Sequence, residues 1–417
     1  MKNVYDIKKE KNLNFVFPMQ ECDSCSKKRD WIGKTLVVMH LHYADTLQEH
    51  ISYIGHIPEG IDVIVTTSDE EIENRILRET ICRKSNMRIV RKQNRGRDIS
   101  SFLVACREEI LKYEYFCFVH DKKEKSQVSK NDTELLVTEL WDNLLGSREY
   151  ICNVLGFMEQ NRKIGVLVPP LSMGDYQANA FLNTWFKNFE NVEKLLSDLA
   201  VKADVDREKP PITLGTVFWA RTDALRKLLE HEWKYEDFDE EPLANDGTLS
   251  HAVERSFAYI AQDAGYDTGW LKTDCCAGVR DEDMTRLLGK CFELLYCELG
   301  IRSPFQVVNY ETMKKEMVSF AERFSTLYIY GAGVYGKGCL TMMRRLGLEP
   351  EGFVVSNGTV VAEGMKVDGL PVNEIHAIKW TENCGIVVAV GVTNVNAVLA
   401  AIRESLPGFK NYMLFSQ

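Results

Sequence analysis

The eleven residues YFCFVHDKKEK combine an apolar run with side chains that could do chemistry. An apolar run, residues 115–119, ends directly in His120, Asp121 and Lys122. An imidazole, a carboxylate and an ammonium group suit a phosphorylated ligand, because cations neutralise phosphate oxygens and a carboxylate can hold a divalent metal that bridges them. The polar residues that follow each apolar run are therefore the first candidates for a site.

Two further apolar runs end in polar clusters, which contain His42, Tyr43, Asn94, Arg97 and Asp98. Each cluster also has a structural interpretation. Asp98 is followed by Ile-Ser-Ser and would make a good helix N-cap, paired arginines form solvated salt bridges, and lysine-rich stretches form exposed loops. The coincidence of three such clusters at strand ends favours one shared site, since chance would scatter them along the chain.

A later cluster contains Asp246, His251 and Glu254. The Asp-Gly pair at 246 and 247 indicates a turn, and the pattern from Thr248 onward predicts a helix. His251 and Glu254 are three residues apart and therefore share a face of that helix. The alternative is structural: Asp246 serves as a turn or N-cap residue, and Glu254 forms a solvated pair with Arg255.

The carboxyl-terminal part contains a glycine motif, with Gly331, Gly333 and Gly336 between a predicted strand and a predicted helix. In nucleotide-binding units of this type the first glycine permits a tight turn, the second lets a diphosphate approach the backbone, and the third allows close helix packing. The next predicted strand ends at Ser356 and Asn357, where NAD binding favours an acidic residue. We predict a small nucleotide-binding unit, with a purely structural glycine turn as the alternative.

Alternating strand and helix patterns position these clusters. Short β-branched runs predict strands at 34–40, 61–66, 87–91, 115–119, 164–168, 211–221, 327–330, 352–355 and 385–390, and amphipathic segments predict helices at 70–84, 99–112 and 148–161. This alternation predicts an α/β fold with a mostly parallel sheet flanked by helices, in which ligands bind at the carboxyl ends of the strands. The predicted divisions are an extension at 1–33, a main domain at 34–276, a helical linker region at 277–325 and a smaller Rossmann-like domain at 326–417.

Composition and charge limit the classes of function. The chain of 417 residues is long enough for two domains with their own cores, and its net charge of −10 argues against broad nucleic-acid binding. The amino terminus shows no signal peptide, and no run of about 18 apolar residues predicts a transmembrane helix, so we expect a cytoplasmic protein. Most of the 12 cysteines lie in apolar stretches, which is typical of reduced core residues.

Five segments occur in an order and with a spacing that resembles the rhamnan synthesis protein F family of bacterial polysaccharide glycosyltransferases: LVVMHLHYADTL, NRGRDISSFL, FVHDKKEK, ITLGTVFWAR and DGTLSHAVER. The resemblance implies a GT-A-like glycosyltransferase domain at 34–276 that uses a nucleotide-diphosphate sugar such as dTDP-rhamnose or another activated deoxyhexose. It also implies a lipid-linked glycan acceptor that belongs to a cell-wall or surface polysaccharide. Such an acceptor would favour peripheral association with the inner face of the cell membrane.

The resemblance also implies roles for the clustered residues. Donor binding falls to His42, Tyr43, Asn94, Arg97, Asp98, His120 and Lys122. GT-A enzymes have an Asp-Xaa-Asp motif where this sequence has Asp121 alone. Two alternatives therefore stay open: Asp121 and His251 bind a divalent Mg²⁺ or Mn²⁺ ion, or lysines such as Lys122 take over part of the charge neutralisation. For an inverting transfer, Asp246 is the first candidate for the general base and Glu254 the second.

Two other classes of protein are alternatives to a glycosyltransferase. One is an NAD-dependent sugar-nucleotide oxidoreductase built around Gly331 to Gly336, which nicotinamide binding would reveal. The other is a non-catalytic glycan-binding or nucleotide-binding protein that retains a degenerate transferase fold. Release of nucleotide from a donor would distinguish this second alternative from an active transferase.

Overall fold

The computed structural model divides the chain into two compact units, Glu10–Asp281 and Glu282–Gln417. The structure describes residues 13–20, 30–79, 86–123, 130–170, 185–203, 205–209, 213, 215–244, 246–301, 306, 307 and 309–415, with the backbone alone at 130–136 and 392. Within these residues, no helix is both long enough and apolar enough to cross a lipid bilayer.

An eight-stranded sheet forms the centre of the larger unit. Its strands are β1 (Asn14–Phe17), β2 (Thr35–His40), β3 (Asp62–Thr67), β4 (Met87–Arg91), β5 (Tyr115–His120), β6 (Ile164–Val168), β7 (Phe218–Arg221) and β8 (Asp267–Thr273). The spatial order is β1-β8-β6-β7-β5-β2-β3-β4, and neighbouring strands are parallel except where they pair with β7. The predicted mostly parallel sheet is confirmed.

Hydrophobic side chains on both faces of this sheet hold the strand ends in place. Strands β2 and β5 are buried along almost their whole length. Successive residues of β2 point to opposite faces, so that Val37 and Met39 enter one core while Leu36 and Val38 enter the other. Burial on both faces explains why these strands appear in the sequence as continuous apolar runs.

Helices cover the sheet of the larger unit. Those that the structure describes are α1 (Leu47–Ser52), α2 (Glu70–Arg78), α3 (Arg107–Ile110), α4 (Lys130–Leu145), α5 (Arg148–Gln160), α6 (Phe189–Asp198), α7 (Arg226–Glu230), α8 (Leu249–Asp263) and the start of α9 (Asp274–Leu299). Asp69 caps α2 by accepting the backbone N–H of Glu71 at 2.7 Å, and Ser147 caps α5 in the same way.

Three predicted elements differ in detail from the structure. The helix expected at 99–112 becomes a π-helical turn and the short α3, because Cys106, with φ −116° and ψ 0°, interrupts it. Asn14–Phe17, expected in an extension, forms the edge strand β1 beside β8. The strand expected at 211–221 is observed as β7 at its end, while residues 211, 212 and 214 lie outside the described part, as do 80–85 of the helix expected at 70–84.

A six-stranded sheet forms the smaller unit. Its strands are β9 (Thr326–Tyr330), β10 (Gly352–Val355), β11 (Lys366–Val367), β12 (Leu370–Glu374), β13 (Cys384–Val388) and β14 (Tyr412–Leu414), in the order β11-β12-β10-β9-β13-β14. Its described helices include α10 (Tyr310–Ala321), α11 (Val334–Arg345) and α12 (Val395–Ser405). Strand β9 lies in the middle of the parallel part of the sheet, with β10 and β12 on one side of it and β13 and β14 on the other. This arrangement of parallel strands confirms the Rossmann-like α/β fold.

Candidate functional site

The sheet of the larger unit changes its direction of growth between β2 and β5. The chain adds β3 and β4 on one side of β2, and then places β5 on the other side. Ligands in open α/β sheets bind at such a switch point, outside the carboxyl ends of the strands. His40 and His120 end these two strands and pair in register. The polar residues beyond them form a group that we call the rim: His42, Tyr43, Lys92, Arg97, Asp98, His120 and Asp121.

Asp121 fixes the turn that follows β2. The residue is 4% exposed, and its Oδ2 accepts hydrogen bonds from the backbone N–H groups of His42 and Tyr43, both at 2.8 Å. Burial raises the pKa of Asp121, although these two donors oppose the rise. Its Oδ1 is buried and has no hydrogen-bond partner among the described residues. Lys122 follows it and is half-buried.

The turn after β2 brings two aromatic rings to the rim. The rings of His42 and Tyr43 meet edge to face with their centroids 5.0 Å apart, and Nδ1 of His42 lies 3.3 Å from the Ser68 hydroxyl oxygen. Burial, together with the charge of Asp121, raises the pKa of Tyr43, so its hydroxyl stays protonated at neutral pH. Flat rings of this kind can stack on a nucleotide base.

Asp98 connects the turn after β4 to the ends of β5 and β7. A carboxylate oxygen of Asp98 lies 3.8 Å from Nε2 of His120, and the Thr216 hydroxyl donates a hydrogen bond to the same carboxylate. Burial pushes the pKa of Asp98 upward, but the charge of His120 and the Thr216 hydrogen bond outweigh it and keep the pKa below its usual value. Because β7 runs antiparallel to β5, its amino end reaches the rim.

Two residues in the left-handed region shape the turn that carries Arg97. Gly96 has φ 72° and Arg97 has φ 44°. A Cβ atom on Gly96 would come within 2.7 Å of the Phe238 ring, so glycine is required there. Arg97 reaches Glu241, with 3.1 Å between Nε and Oε1, while Asn94 is exposed in the same turn. A non-glycine residue in this region costs on the order of 1–3 kcal/mol, which surrounding contacts must offset.

Lys92 is a rim residue that sequence reasoning missed. It directly follows β4, is 6% exposed, and has its Nζ 3.4 Å from the carbonyl oxygen of Arg95. Burial lowers the pKa of Lys92 to about 8, against the opposing charges of Asp98 and Glu241. Burial and the charge of Lys92 also lower the pKa of His40 to about 3, so this imidazole is neutral. The available signal was a lysine immediately after a strand that ends near other polar clusters.

Asp246 is held by two hydrogen-bond donors. Its Oδ2 accepts the backbone N–H of Lys187 at 2.9 Å, and its Oδ1 accepts Nδ2 of Asn188 at 2.6 Å. Burial pushes the pKa of Asp246 upward, but these hydrogen bonds outweigh it, so the pKa lies below its usual value. The carboxylate is therefore ionised at neutral pH, as both the turn interpretation and the general-base interpretation require.

Polar side chains gather in the first turns of α8. Thr248 caps the helix, with its hydroxyl oxygen 2.7 Å from Nδ1 of His251. Glu254 accepts hydrogen bonds from the backbone N–H of Gly215 and from Nη1 of Arg255, the latter at 3.0 Å. Arg255 is 6% exposed, and its Nε has no hydrogen-bond partner among the described residues. Burial lowers the pKa of His251.

Electrostatic interactions connect the start of α8 to the rim. Burial is the main cause of the pKa shifts of Tyr43 and His251, but the charge of Arg97 contributes to both, so Arg97 lies near both side chains. The charge of Asp246 also acts on His251. The structure thus brings residues from four distant segments of the sequence into one polar region.

Binding of a divalent metal ion by Asp121 and His251 stays a prediction. Across the part of the chain that the structure describes, no three His, Cys, Asp or Glu side chains come together in a way that could hold a metal ion. Nδ1 of His251 faces Thr248, and one oxygen of Asp121 is committed to backbone N–H groups. We therefore derive no step of the chemistry from a metal held by Asp121 and His251.

A family model described as rhamnan synthesis protein F matches residues 1–266. The chain belongs to this family. The matched residues include the whole rim and the start of α8, and they end before the smaller unit. Membership of the rhamnan synthesis protein F family confirms the resemblance seen in the five sequence segments.

Two curated relatives of this chain are distant in sequence. Proteins from two strains of Xanthomonas campestris pathovar campestris, both described as uncharacterized protein WxcX, are 26% identical over 234 residues. That match covers 55% of this chain and 32% of theirs, so the chain spans about a third of their length. A solved structure of CMP:2-keto-3-deoxy-manno-octonic acid synthetase complexed with CTP is similar at 12% identity and a TM-score of 0.30, over 61% of this chain and 99% of that one.

The glycine motif of this rhamnan synthesis protein F family member lies beyond the residues that the family model matches. Gly331 has φ 107°, and a Cβ atom on it would come within 2.6 Å of the Ala389 carbonyl oxygen. A Cβ atom on Gly336 would collide with the carbonyl oxygen of Gly331, whereas the space beside Gly333, which precedes α11, is open. The tight turn explains the glycine at position 331, and close packing explains the glycine at position 336. A nucleotide beside Gly333 remains a prediction.

Proposed function

We propose that this protein is a glycosyltransferase that moves a sugar from a nucleotide-diphosphate donor to a growing polysaccharide. One observation carries the proposal: the carboxylates, cations and aromatic rings of the rim meet at the switch point of a mostly parallel sheet. This is the position at which α/β sheets bind nucleotide ligands. Membership of the rhamnan synthesis protein F family supports the same conclusion.

In this proposal the domain is GT-A-like and the rim binds the donor, which is dTDP-rhamnose or another activated deoxyhexose. The rings of His42 and Tyr43 contact the base or ribose, while Arg97 and Asp98 contact the nucleotide or the sugar. Two features support these roles: Asp121 holds the aromatic turn in place, and the left-handed turn fixes Arg97. Groups that are held in position before binding lose less entropy when the ligand arrives.

The proposed reaction is an inverting transfer. The acceptor hydroxyl oxygen bonds to the anomeric carbon as the carbon–oxygen bond to the diphosphate breaks and the diphosphate takes the electron pair. The hydroxyl proton passes to a carboxylate, for which Asp246 is the first candidate and Glu254 the second. Cationic side chains stabilise the charge that develops on the leaving diphosphate. Asp246 is ionised at neutral pH, which this role requires.

The proposed acceptor is a lipid-linked glycan that belongs to a cell-wall or surface polysaccharide. Such an acceptor would bring the protein to the inner face of the cell membrane as a peripheral protein. The description of the family, rhamnan synthesis protein F, supports a polysaccharide acceptor.

Donor turnover tests the proposal. The full chain is incubated with dTDP-rhamnose and with other nucleotide sugars, with a lipid-linked acceptor, in the presence of manganese or of a chelator, and released nucleotide is measured. Transfer that depends on the acceptor supports the proposal. Donor binding without any release would instead identify a binding protein, and absence of both would refute a donor site at the rim.

A matched pair of variants tests the general base. Asp246→Asn should abolish transfer while donor affinity stays within a few fold, because only the proton acceptor is lost. Asp198→Asn, at an exposed ion pair with Lys194, is the control and should keep wild-type turnover. Wild-type turnover in the Asp246 variant would remove this residue from the role, and Glu254→Gln would then be tested in the same way.

A further inference from the structure

Lys92 is a buried ammonium group without an adequate counter-ion. It is 6% exposed, and across the described part of the chain it forms no ion pair within 4.0 Å. Its one hydrogen bond, to the Arg95 carbonyl oxygen, is long at 3.4 Å. An ammonium group has three donors, and a buried charge is costly unless it is paired and hydrogen-bonded. The side chain therefore has donors to spare at the edge of the rim.

The two carboxylates whose charges act on Lys92 already have other partners. Asp98 faces His120 and Thr216, and Glu241 accepts Nε of Arg97 at 3.1 Å and the backbone N–H of Leu243 at 3.0 Å. Both carboxylates act on Lys92 through their charge, but among the described residues neither forms an ion pair with it within 4.0 Å. These two carboxylates place negative charge near the ammonium group but do not use its hydrogen-bond donors.

A purely structural role for Lys92 is poorly supported. Among the described residues its hydrogen-bond partner is the Arg95 carbonyl oxygen, which already accepts a hydrogen bond from the Ser100 hydroxyl at 2.6 Å. Arg95 is also fixed independently, because its Nε donates to the Phe238 carbonyl oxygen at 2.7 Å. The turn therefore does not need Lys92 for its shape.

We infer that Lys92 binds the diphosphate of the nucleotide donor and makes the site selective for nucleoside diphosphates over nucleosides. The inference rests on the proposed function and names a residue that sequence reasoning assigned to no role. Lys92 directly follows β4, and its charge reaches His40 at the switch point. Lys123, in contrast, is paired with Asp45, and Arg97 with Glu241. The anionic oxygens of a diphosphate would accept hydrogen bonds from the ammonium group of Lys92 and would neutralise its charge.

Binding measurements on the full chain test this inference. Calorimetry compares dTDP, UDP and GDP with the matching nucleosides, for the wild type and for Lys92→Met. Lys194→Met, at an exposed ion pair on α6, is the matched control. A charge-assisted hydrogen bond supports a loss of about 10-fold to 100-fold in diphosphate affinity in Lys92→Met, with nucleoside affinity unchanged. Lys92→Arg, which retains the charge, should lose less than Lys92→Met.

Each outcome is decisive. If the wild type binds a nucleoside diphosphate and Lys92→Met binds it equally well, the role of Lys92 is refuted while the proposed function stands. If the wild type binds none of the three diphosphates, both are refuted. If Lys92→Met does not fold, the wild type alone decides, because its diphosphate affinity should fall as pH rises through 8. The groups that set this titration are Asp98, Glu241 and His40, and an affinity that is constant from pH 7 to 9 would contradict the inference.

Discussion

Replacing Lys92 with methionine should stabilise the protein at neutral pH, although it removes a charged side chain from the candidate site. Burial lowers the pKa of Lys92 from 10.5 to about 8. A shift of one unit corresponds to about 1.4 kcal/mol, so the charged form of this residue lowers the free energy of unfolding by about 3 kcal/mol. Methionine fills similar space without a charge and does not carry this cost.

The sign of the pH dependence follows from proton binding. The unfolded chain holds the Lys92 proton up to about pH 10.5, whereas the folded chain releases it above about pH 8. Between these values the unfolded state binds more protons, so the stability of the wild type rises with pH. Below pH 8 both states are protonated and the destabilisation is fully present. The advantage of Lys92→Met should therefore be largest at pH 7 and should shrink toward pH 10.

Urea unfolding of both proteins at several pH values measures this difference. Fluorescence of the buried Trp141 and Trp219 reports the unfolding of the larger unit. The expected difference in free energy of unfolding is about 3 kcal/mol at pH 7, and most of it should be lost by pH 10. A difference that stays constant across this range would show that Lys92 is not buried as a strained cation, and the argument for a diphosphate contact would lose its basis.

Four further substitutions test the fold. Gly336→Ala should destabilise the smaller unit by about 3 kcal/mol, because the new Cβ atom would collide with Gly331. Gly333→Ala is the control: its Cβ atom meets open space, so stability should change by less than about 0.5 kcal/mol. Equal shifts of the melting temperature in the two variants would contradict this packing. Asp69→Ala should cost about 1 kcal/mol in urea unfolding, since two backbone N–H groups of α2 lose their acceptor. Arg221→Met should cost about 3 kcal/mol, because its buried guanidinium donates to backbone carbonyl oxygens, and a neutral result would exclude that network.

Several strands of both sheets could be predicted from the sequence because they are buried almost throughout. Ile164–Val168 and Gly352–Val355 have the predicted bounds, and Thr35–His40 and Tyr115–His120 differ by one residue. The edge strand Met87–Arg91, which is only partly buried, also has its predicted bounds. A continuous apolar run of five or six residues that stops at polar side chains indicates both the strand and its end. The polar clusters were found for the same reason.

Other features depend on contacts between distant segments. The sequence of Phe218–Arg221 does not indicate whether this strand runs parallel or antiparallel to its neighbours. The antiparallel orientation of β7, and with it the hydrogen bond between Thr216 and Asp98, could therefore not be predicted. Lys92 resembles an exposed lysine until the segment near Phe238, about 140 positions later, packs over its turn. The edge strand Asn14–Phe17 was not predicted either, because it lies in a charged segment and its residues alternate between exposed and half-buried.

The reversed direction of β7 has a consequence for how this site can be altered. Strands β2, β4 and β5 lead into the rim with the residues that come after them, but β7 leads in with the residues that come before it. The segment ahead of Gly215 can therefore be lengthened while Phe218–Arg221 keep their places in the sheet and Thr216 keeps its hydrogen bond to Asp98. Directed variation of ligand preference should start there, because new side chains would be added beside the rim without a change in the strands that carry it.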